Sequence, residues 1–265
     1  MMFKNKLLIS FLLLIVIVGG MTYMFNSMNV FGENANKKVI EESSFTNIEV
    51  LTNNADVMIV PTESLKTTVE YTGASKKTKF NLDAAVKGDT LSVQLKQKRK
   101  FFFSFGFNFG DSKLTVSVPE KQYKNLQIMS DNGRINVENI HSEGIVIETD
   151  NGQIQVRNVE ARTVHVETDN GKVVLEDVIG EIKGSTDNGQ ISLVTSDIDS
   201  PIDLSTDNGS IEVKAESEPT NATIEAKSGN GKITIFGQET KLEVYGKGTH
   251  LMKLQTDNGR ILVTK

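Results

Sequence analysis

The tripeptide Asp-Asn-Gly recurs at nearly constant spacing and gives this 265-residue chain its most regular acidic positions. One copy has Gly in place of Asp, and the seven copies centre on Asp131, Asp150, Asp169, Asp187, Asp207, Gly229 and Asp257. If the copies stack as strands of one sheet, five consecutive carboxylates lie about 4.8 Å apart. Carboxylate oxygens in such a row can bridge Ca²⁺.

A structural role for this aspartate row competes with calcium binding. In that interpretation each Asp accepts hydrogen bonds from backbone amides of its own turn. Like charges at this spacing in water repel by only about 1 kcal/mol per pair, so the row needs no metal. Basic residues three positions on, which we expect to relieve some repulsion, are Arg134, Lys172, Lys232 and Arg260. We therefore predict no metal and no cofactor.

Catalytic groups do not form a recognisable set. His141, His165 and His250 fall at inequivalent positions of the repeat. General acid–base chemistry requires an acid and a base that converge in a groove. We predict that the protein is not an enzyme. The alternative is a carbohydrate-active β-helix enzyme acting on cell-wall polymers. A groove of clustered carboxylates with shifted pKa values would favour that alternative.

The segment 96–110 is the most unusual stretch, because a basic cluster is followed by Phe at every second position from 101 to 109. These rings either plug one end of the fold or contact a membrane or protein partner. The candidate contact residues are Lys98, Arg99, Lys100, Phe101, Phe103, Phe105, Phe107 and Phe109.

Each copy of the repeat predicts a tight turn, since Asn-Gly tolerates positive φ. The turn pairs are Asn132-Gly133, Asn151-Gly152, Asn170-Gly171, Asn188-Gly189, Asn208-Gly209, Asn230-Gly231 and Asn258-Gly259. The residue before the Asp position is always Ser or Thr, and apolar residues alternate on both sides of the turn. This period of two is typical of half-buried strands.

Two all-β folds satisfy this pattern. Asn-Gly between alternating strands also signals hairpins, hence an antiparallel meander or sandwich. A hairpin requires only a turn-forming pair, whereas here the hydroxyl, the Asn and both apolar pairs return together. We therefore predict a single-stranded β-solenoid of seven to eight coils of about 19 residues. Regular repeats occupy 126–265, and the irregular part 41–125 closes the N-terminal end.

Residues 7–25 carry no charge and are long enough to cross a bilayer as a helix. Lysines precede the run, so the positive-inside rule places residues 1–6 in the cytoplasm and the linker 26–40 and domain 41–265 outside. The prediction is a single-pass cell-membrane protein. A cleaved signal peptide is the alternative.

The overall composition limits the partners. The chain has no Cys, so no disulfide stabilises it. A net charge of −5 gives no general basic face and argues against nucleic acid.

With the uncharged run, the opening Phe45-Thr46-Asn47-Ile48-Glu49-Val50 and the Thr-Asp-Asn-Gly copies in view, the chain resembles the bacterial putative-adhesin family of domains of unknown function, and in particular its LiaG-like members. The resemblance covers residues 41–265. It implies a surface-exposed β-solenoid, often encoded beside envelope stress-response components, and transfers no catalytic residue. The expected function is a binding or scaffold module of the cell envelope. Expected partners are the membrane through the anchor, and a cell-wall polymer or another membrane protein.

Overall fold

The computed structural model describes residues 37–73, 79–98, 112–196 and 198–265. Within these ranges the chain is all-β, and its twenty strands belong to one sheet. The strands of the N-terminal part are β1 (Lys37–Ile40), β2 (Asn47–Asn54), β3 (Asp56–Thr62), β4 (Thr67–Thr72), β5 (Lys79–Lys87), β6 (Thr90–Lys98) and β7 (Lys113–Pro119). The regular repeats begin with β8 (Gln122–Asn132), β9 (Ile135–Glu138), β10 (His141–Asn151), β11 (Ile154–Asn170), β12 (Val173–Asn188) and β13 (Ile191–Thr195). They end with β14 (Ile202–Asn208), β15 (Ile211–Ala215), β16 (Ala222–Asn230), β17 (Ile233–Ile235), β18 (Leu242–Val244), β19 (His250–Asn258) and β20 (Ile261–Thr264).

Parallel pairing arranges these strands in two ladders that meet at the Asn-Gly turns. The first ladder holds the strand segments before each turn, in the spatial order β6, β2, β8, β10, β11, β12, β14, β19, β16. The second ladder holds the segments after each turn, in the order β7, β3, β9, β11, β12, β13, β15, β20, β17. Equivalent residues of successive repeats pair directly, as in Thr149 with Thr168. A solenoid-like stack is therefore confirmed, and an antiparallel meander is not.

The core is the stack of apolar pairs predicted from the period of two. Ile147, Ile154 and Val156, for example, have no exposed surface. Every apolar position predicted to face inward beside the turns is buried. Each such side chain contributes on the order of 1.5–3 kcal/mol through burial.

The number of coils differs from the expected seven to eight, because each ladder has nine strands in the described part of the chain. Strands β2 and β3, which precede the seven copies, form one additional coil. Strands β6 and β7 form another beyond it. Residues 99–111 separate these two strands and lie outside the described residues, as do the predicted contacts from Arg99 to Phe109.

Antiparallel strands close both ends of the stack. At the N-terminal end β5 pairs with β6, while β4 pairs with β7 and β1 with β4. At the other end β18 pairs with β16. The irregular part 41–125 therefore supplies two coils as well as the closing strands β4 and β5, while β1 lies just before it.

The last two copies are inverted in space. Asn208 pairs with Asn258, and Asn258 pairs in turn with Asn230. The coil containing residues 250–264 thus lies between the coil of 202–215 and the coil of 222–235. Gly259 therefore lies between two coils, although it belongs to the last copy in the sequence.

The seven turn glycines are required because neighbouring coils approach closely at the turns. Only one of the seven also requires glycine because of a positive φ. Gly133 alone among them has positive φ, at +124°. A Cβ on Gly171 would lie 1.8 Å from the carbonyl oxygen of Gly152, and a Cβ on Gly259 would lie 1.8 Å from that of Gly209. Any side chain here forces neighbouring coils apart. The expectation that all seven glycines adopt positive φ is corrected accordingly.

A second corner follows the second-ladder strands. Asn139, Asn158 and Asp177 adopt positive φ of 55°, 49° and 53°. Asn and Asp are the residues that tolerate this left-handed conformation best after Gly. The Asn158 side chain donates to the Asn139 side-chain oxygen at 3.2 Å. Each coil in this region is thus held to its neighbours at two corners.

The predicted single-pass membrane location is corrected by the structure. Nowhere in the part of the chain that the structure describes is there a helix long and apolar enough to cross a membrane. The segment 7–25, on which that prediction was based, lies outside the described residues.

The glycine contacts predict the cost of adding one methyl group. Gly171→Ala and Gly259→Ala should lower the free energy of unfolding by similar amounts, about 3 kcal/mol or more, because each added Cβ overlaps a backbone oxygen. Gly88 is the matched control, since it has φ +62° and nothing within 4 Å of an added Cβ. Gly88→Ala should cost only about 1 kcal/mol. Denaturant titration measures all three; a mild Gly259→Ala variant beside a severe Gly171→Ala variant would contradict the inverted order.

Candidate functional site

A row of asparagine side chains, called here the Asn ladder, runs along the corner where the two strand ladders meet. It fixes the positions of the neighbouring turn residues. The row runs in spatial order through Asn54, Asn132, Asn151, Asn170, Asn188, Asn208, Asn258 and Asn230. From Asn132 onward each Asn donates its side-chain amide to the side-chain oxygen of the preceding Asn in this row, at 2.9–3.2 Å. Because the amides satisfy one another, the corner holds its register from the coil of β2 to the coil of β16.

The residue before each Asp position reinforces this corner from inside. The Thr168 hydroxyl donates to the Gly152 carbonyl at 3.3 Å, and the Thr256 hydroxyl donates to the Gly209 carbonyl at 2.9 Å. In five of the seven copies the hydroxyl donates to the glycine carbonyl of the adjacent coil. The two exceptions are Ser130, which donates to the Asn132 carbonyl of its own turn, and Thr149, whose buried hydroxyl has no partner among the described residues. This explains why Ser or Thr recurs there.

The aspartates form a continuous row on the solvent side of this corner, called here the Asp column. It runs in spatial order through Asp131, Asp150, Asp169, Asp187, Asp207 and Asp257, and all six are exposed. Asp131 accepts a hydrogen bond from the Asn53 side chain at 2.6 Å. None of the other five carboxylates accepts a hydrogen bond from any residue that the structure describes. The predicted capping of each turn by its own Asp is therefore wrong.

Neighbouring carboxylates of the Asp column repel one another. Partial burial, followed by the charges of Asp131 and Asp169, raises the pKa of Asp150. Partial burial, followed by the charges of Asp187 and Asp257, raises the pKa of Asp207. The coupling of Asp207 with Asp257 reflects the inverted order of the last two coils.

The basic residues expected to offset this charge contact other carboxylates. Arg134 binds Asp56 at 3.0 Å, and Lys232 binds Glu239 at 3.1 Å. Arg260 pairs with Glu212. Three of the four basic residues expected to offset the charge of the Asp column therefore bind carboxylates elsewhere. For these three the expectation was wrong.

A second group of ionisable residues, which was not predicted from the repeat pattern, lies on the outer face of the first ladder. Glu148 and Glu167 are directly paired across β10 and β11. Burial, followed by the charge of Glu167, raises the pKa of Glu148. A hydrogen bond with His165, whose Nε2 lies 3.5 Å from the Glu167 carboxylate, is the main cause that lowers the pKa of Glu167. Their recurrence two positions before the Asp in consecutive copies was the signal available in the sequence.

The remaining histidines do not join this group. His141 lies 3.5 Å from Glu160 near the second corner, and His250 begins β19. Within the described ranges no set of three or more His, Cys, Asp or Glu side chains is arranged to hold a metal ion.

Comparison with known proteins establishes the family. A family model described as Toastrack DUF4097 matches residues 45–249. The chain belongs to the Toastrack DUF4097 family. Among curated proteins no match is found.

Solved structures with similar folds have low sequence identity. One is described as a "putative cell adhesion protein" from Clostridium sporogenes, with 13% identity, coverage of 86% of this chain and 98% of that chain, and a TM-score of 0.39. Another is described as a "putative adhesin" from Bacteroides fragilis, with 14% identity, coverage of 86% and 95%, and a TM-score of 0.47. At these values the similarity carries no information on function.

Two Asp→Asn substitutions should change the stability of the fold in opposite directions, because Asp187 has acidic neighbours and Asp203 has basic ones. Partial burial, followed by the charges of Asp169 and Glu167, raises the pKa of Asp187 above its ordinary value of 3.8. A carboxyl group whose pKa is higher in the folded than in the unfolded state contributes stability to the fold at pH values below its unfolded pKa. That contribution is lost as the pH rises through the folded-state pKa. Asp187→Asn should therefore stabilise the fold at pH 7 by a few tenths of a kcal/mol, and the effect should be smaller at pH 4, where part of the carboxyl population is protonated.

The control for this substitution is Asp203, which pairs across strands with Lys183 and Lys253. Asp203→Asn should destabilise slightly at pH 7 because it removes an opposite charge. Thermal melts at pH 7 and pH 4 measure both effects. A loss of stability at pH 7 in Asp187→Asn would show that the carboxylate has a structural role.

Proposed function

We propose that this Toastrack protein is a non-catalytic, adhesin-like binding module of the bacterial cell envelope, and that the Asp column is its contact surface. The observation that carries the proposal is the recurrence of exposed aspartates in six neighbouring coils, five of which have no hydrogen-bond partner among the described residues. Their recurrence has no role within the turn, so an external contact accounts for it best.

The geometry of the column favours a repeating partner. In a parallel ladder equivalent side chains recur about every 4.8 Å, so six carboxylates extend over roughly 24 Å. A small molecule spans only a few such positions. A polymer with regularly placed cationic groups can engage the whole row, each contact being weak by itself. We therefore propose an envelope polymer bearing amino groups as the partner.

The column is also suited to electrostatic attraction. Three of the four basic residues that follow the turns bind carboxylates outside the column, and the chain carries a net charge of −5. A continuous row of one sign steers an oppositely charged partner toward it, most strongly at low salt. The resemblance to LiaG-like proteins supports a place in the response to envelope stress.

A binding assay with purified bacterial cell walls tests this proposal. The full chain should sediment with native walls, less so at high salt, and not with walls whose amino groups have been acetylated. A variant with Asp169→Asn, Asp187→Asn and Asp207→Asn should lose most of the binding.

The matched control carries the same change of charge away from the column. Glu143, Glu181 and Glu216 are exposed and lie on other parts of the surface. The triple variant Glu143→Gln, Glu181→Gln, Glu216→Gln should bind as the unaltered chain does. Equal binding by the two triple variants would rule out the Asp column as the contact surface.

A second candidate function is hydrolysis of wall polymers, favoured by the opposite pKa shifts of Glu148 and Glu167. In glycoside hydrolysis one carboxyl with a raised pKa acts as the acid while its ionised partner acts as base or nucleophile. Here both side chains lie on the outer face of a sheet. Release of soluble sugar from walls by the unaltered chain, abolished in Glu148→Gln, would establish this second function in place of the first.

A further inference from the structure

The inverted order of the last two coils creates a slot with an unusual property. The coil of residues 250–264, called here the inserted coil, is bordered on one side by β14 and β15 and on the other by β16 and β17. Both borders precede the inserted coil in the chain. The slot can therefore be complete on both sides before the segment that fills it is synthesised.

The connections on either side of the slot are fixed independently of the inserted coil. The Asp199 carboxylate accepts hydrogen bonds from the Thr220 and Asn221 amides, at 3.0 and 2.8 Å. These bonds anchor the segment that crosses over the slot. Strand β18 then pairs with β16 and closes the end of the stack. The outermost coil consequently keeps contacts that do not involve the inserted coil.

The bonds that hold the inserted coil are those of a standard repeat. Asn258 donates to Asn208 at 3.0 Å and accepts from Asn230 at 2.9 Å. The Gly209 amide donates to the Asn258 carbonyl, and the Gly259 amide donates to the Asn230 carbonyl, both at 3.0 Å. All of these groups belong to the repeat motif. The same segment of a second copy presents an identical set of donors, acceptors and buried side chains.

The link that enters the inserted coil contains two glycines in a left-handed conformation. Gly246 and Gly248 have φ of +59° and +65°. They lie between Tyr245, whose amide donates to the Ala222 carbonyl at 2.8 Å, and His250, whose amide donates to the Asn221 carbonyl at 3.2 Å. Two further bonds hold this link: the Thr223 hydroxyl donates to the Gly248 carbonyl at 3.1 Å, and the Thr249 amide donates to the Asn221 side-chain oxygen at 3.3 Å. Residues 245–249 can thus serve as a hinge, because only these few bonds and the local turn need to differ between insertion in the same chain and insertion in another.

We propose that the slot is an interaction site for a second copy of this chain, and that two copies associate by exchanging their inserted coils. Each slot then receives residues 250–264 of the other copy. The exchanged pair retains the Asn ladder, the hydroxyl bonds and the buried apolar pairs of the single chain. A module that binds a repeating polymer would become bivalent in this way, although the exchange does not depend on the identity of the ligand.

Engineered disulfides test the exchange directly, because the chain contains no Cys. Asp203 and Lys253 pair across the border of the slot, whereas Lys183 and Asp203 pair between two coils that do not exchange. Paired positions on adjacent strands lie within the Cα separation that a disulfide spans. The variant Asp203→Cys/Lys253→Cys reports exchange, and Lys183→Cys/Asp203→Cys is its matched control.

Both variants are incubated reduced at high concentration just below their unfolding transition, cooled, and oxidised. We expect a covalent dimer on a non-reducing gel from Asp203→Cys/Lys253→Cys, increasing with protein concentration, and only monomer from Lys183→Cys/Asp203→Cys. Two differently tagged copies of the unaltered chain, treated in the same way, should also co-purify. Monomer alone from both variants, with no co-purification, overturns the proposal. Dimers from both variants show non-specific crosslinking and overturn it as well.

Discussion

The Asn-Gly corner holds each coil against the next through one repeated hydrogen bond, and the remaining structure depends on that spacing. The Asn side chain donates to the Asn of the neighbouring coil, while the following Gly places its backbone where no Cβ fits. In-register stacking then brings equivalent positions of the repeat together on every row, and where the residue recurs, as for Asn and Asp, identical side chains become neighbours. A favourable row, such as the amides or the apolar pairs, gains at each step. An unfavourable row, such as the carboxylates, accumulates repulsion in the same way. The Asp column is thus a consequence of the register, and it is retained against its own electrostatic cost.

The repeat and its strands could be predicted from the sequence because they are local. Alternation of apolar residues beside a recurrent turn defined the inward-facing positions, and residues such as Ile154 and Val156 are buried as expected. The order of the coils could not be predicted in this way, because equivalent copies offer each other the same contacts. The longer steps before Gly229 and Asp257, 22 residues and 28 residues, were the only trace of the inversion. The copy that lacks Asp lies outermost, where the row has no further neighbour on that side.

The position of the candidate site was predictable, and its environment was not. A row of aspartates at the corner follows from the spacing alone. The contacts of long basic side chains depend on which carboxylates lie nearest in space, and Arg134 reaches Asp56 of an adjacent coil instead of the Asp column. The role of the turn glycines could not be predicted either, because positive φ and close approach both select Gly. Among the seven turn glycines only Gly133 has positive φ, whereas close approach between coils applies to all of them.

Solution NMR of the side-chain amides tests whether the Asn ladder exists and which coils it joins. The Nδ2 hydrogens of Asn151, Asn170 and Asn188 should exchange with solvent far more slowly than those of the exposed Asn81, because each ladder amide is bonded to the next coil. Nuclear Overhauser contacts should connect Asn258 with both Asn208 and Asn230, and should not connect Asn208 with Asn230. Exchange of the ladder amides as fast as that of Asn81, or a direct contact between Asn208 and Asn230, would contradict the ladder and the order of coils built on it.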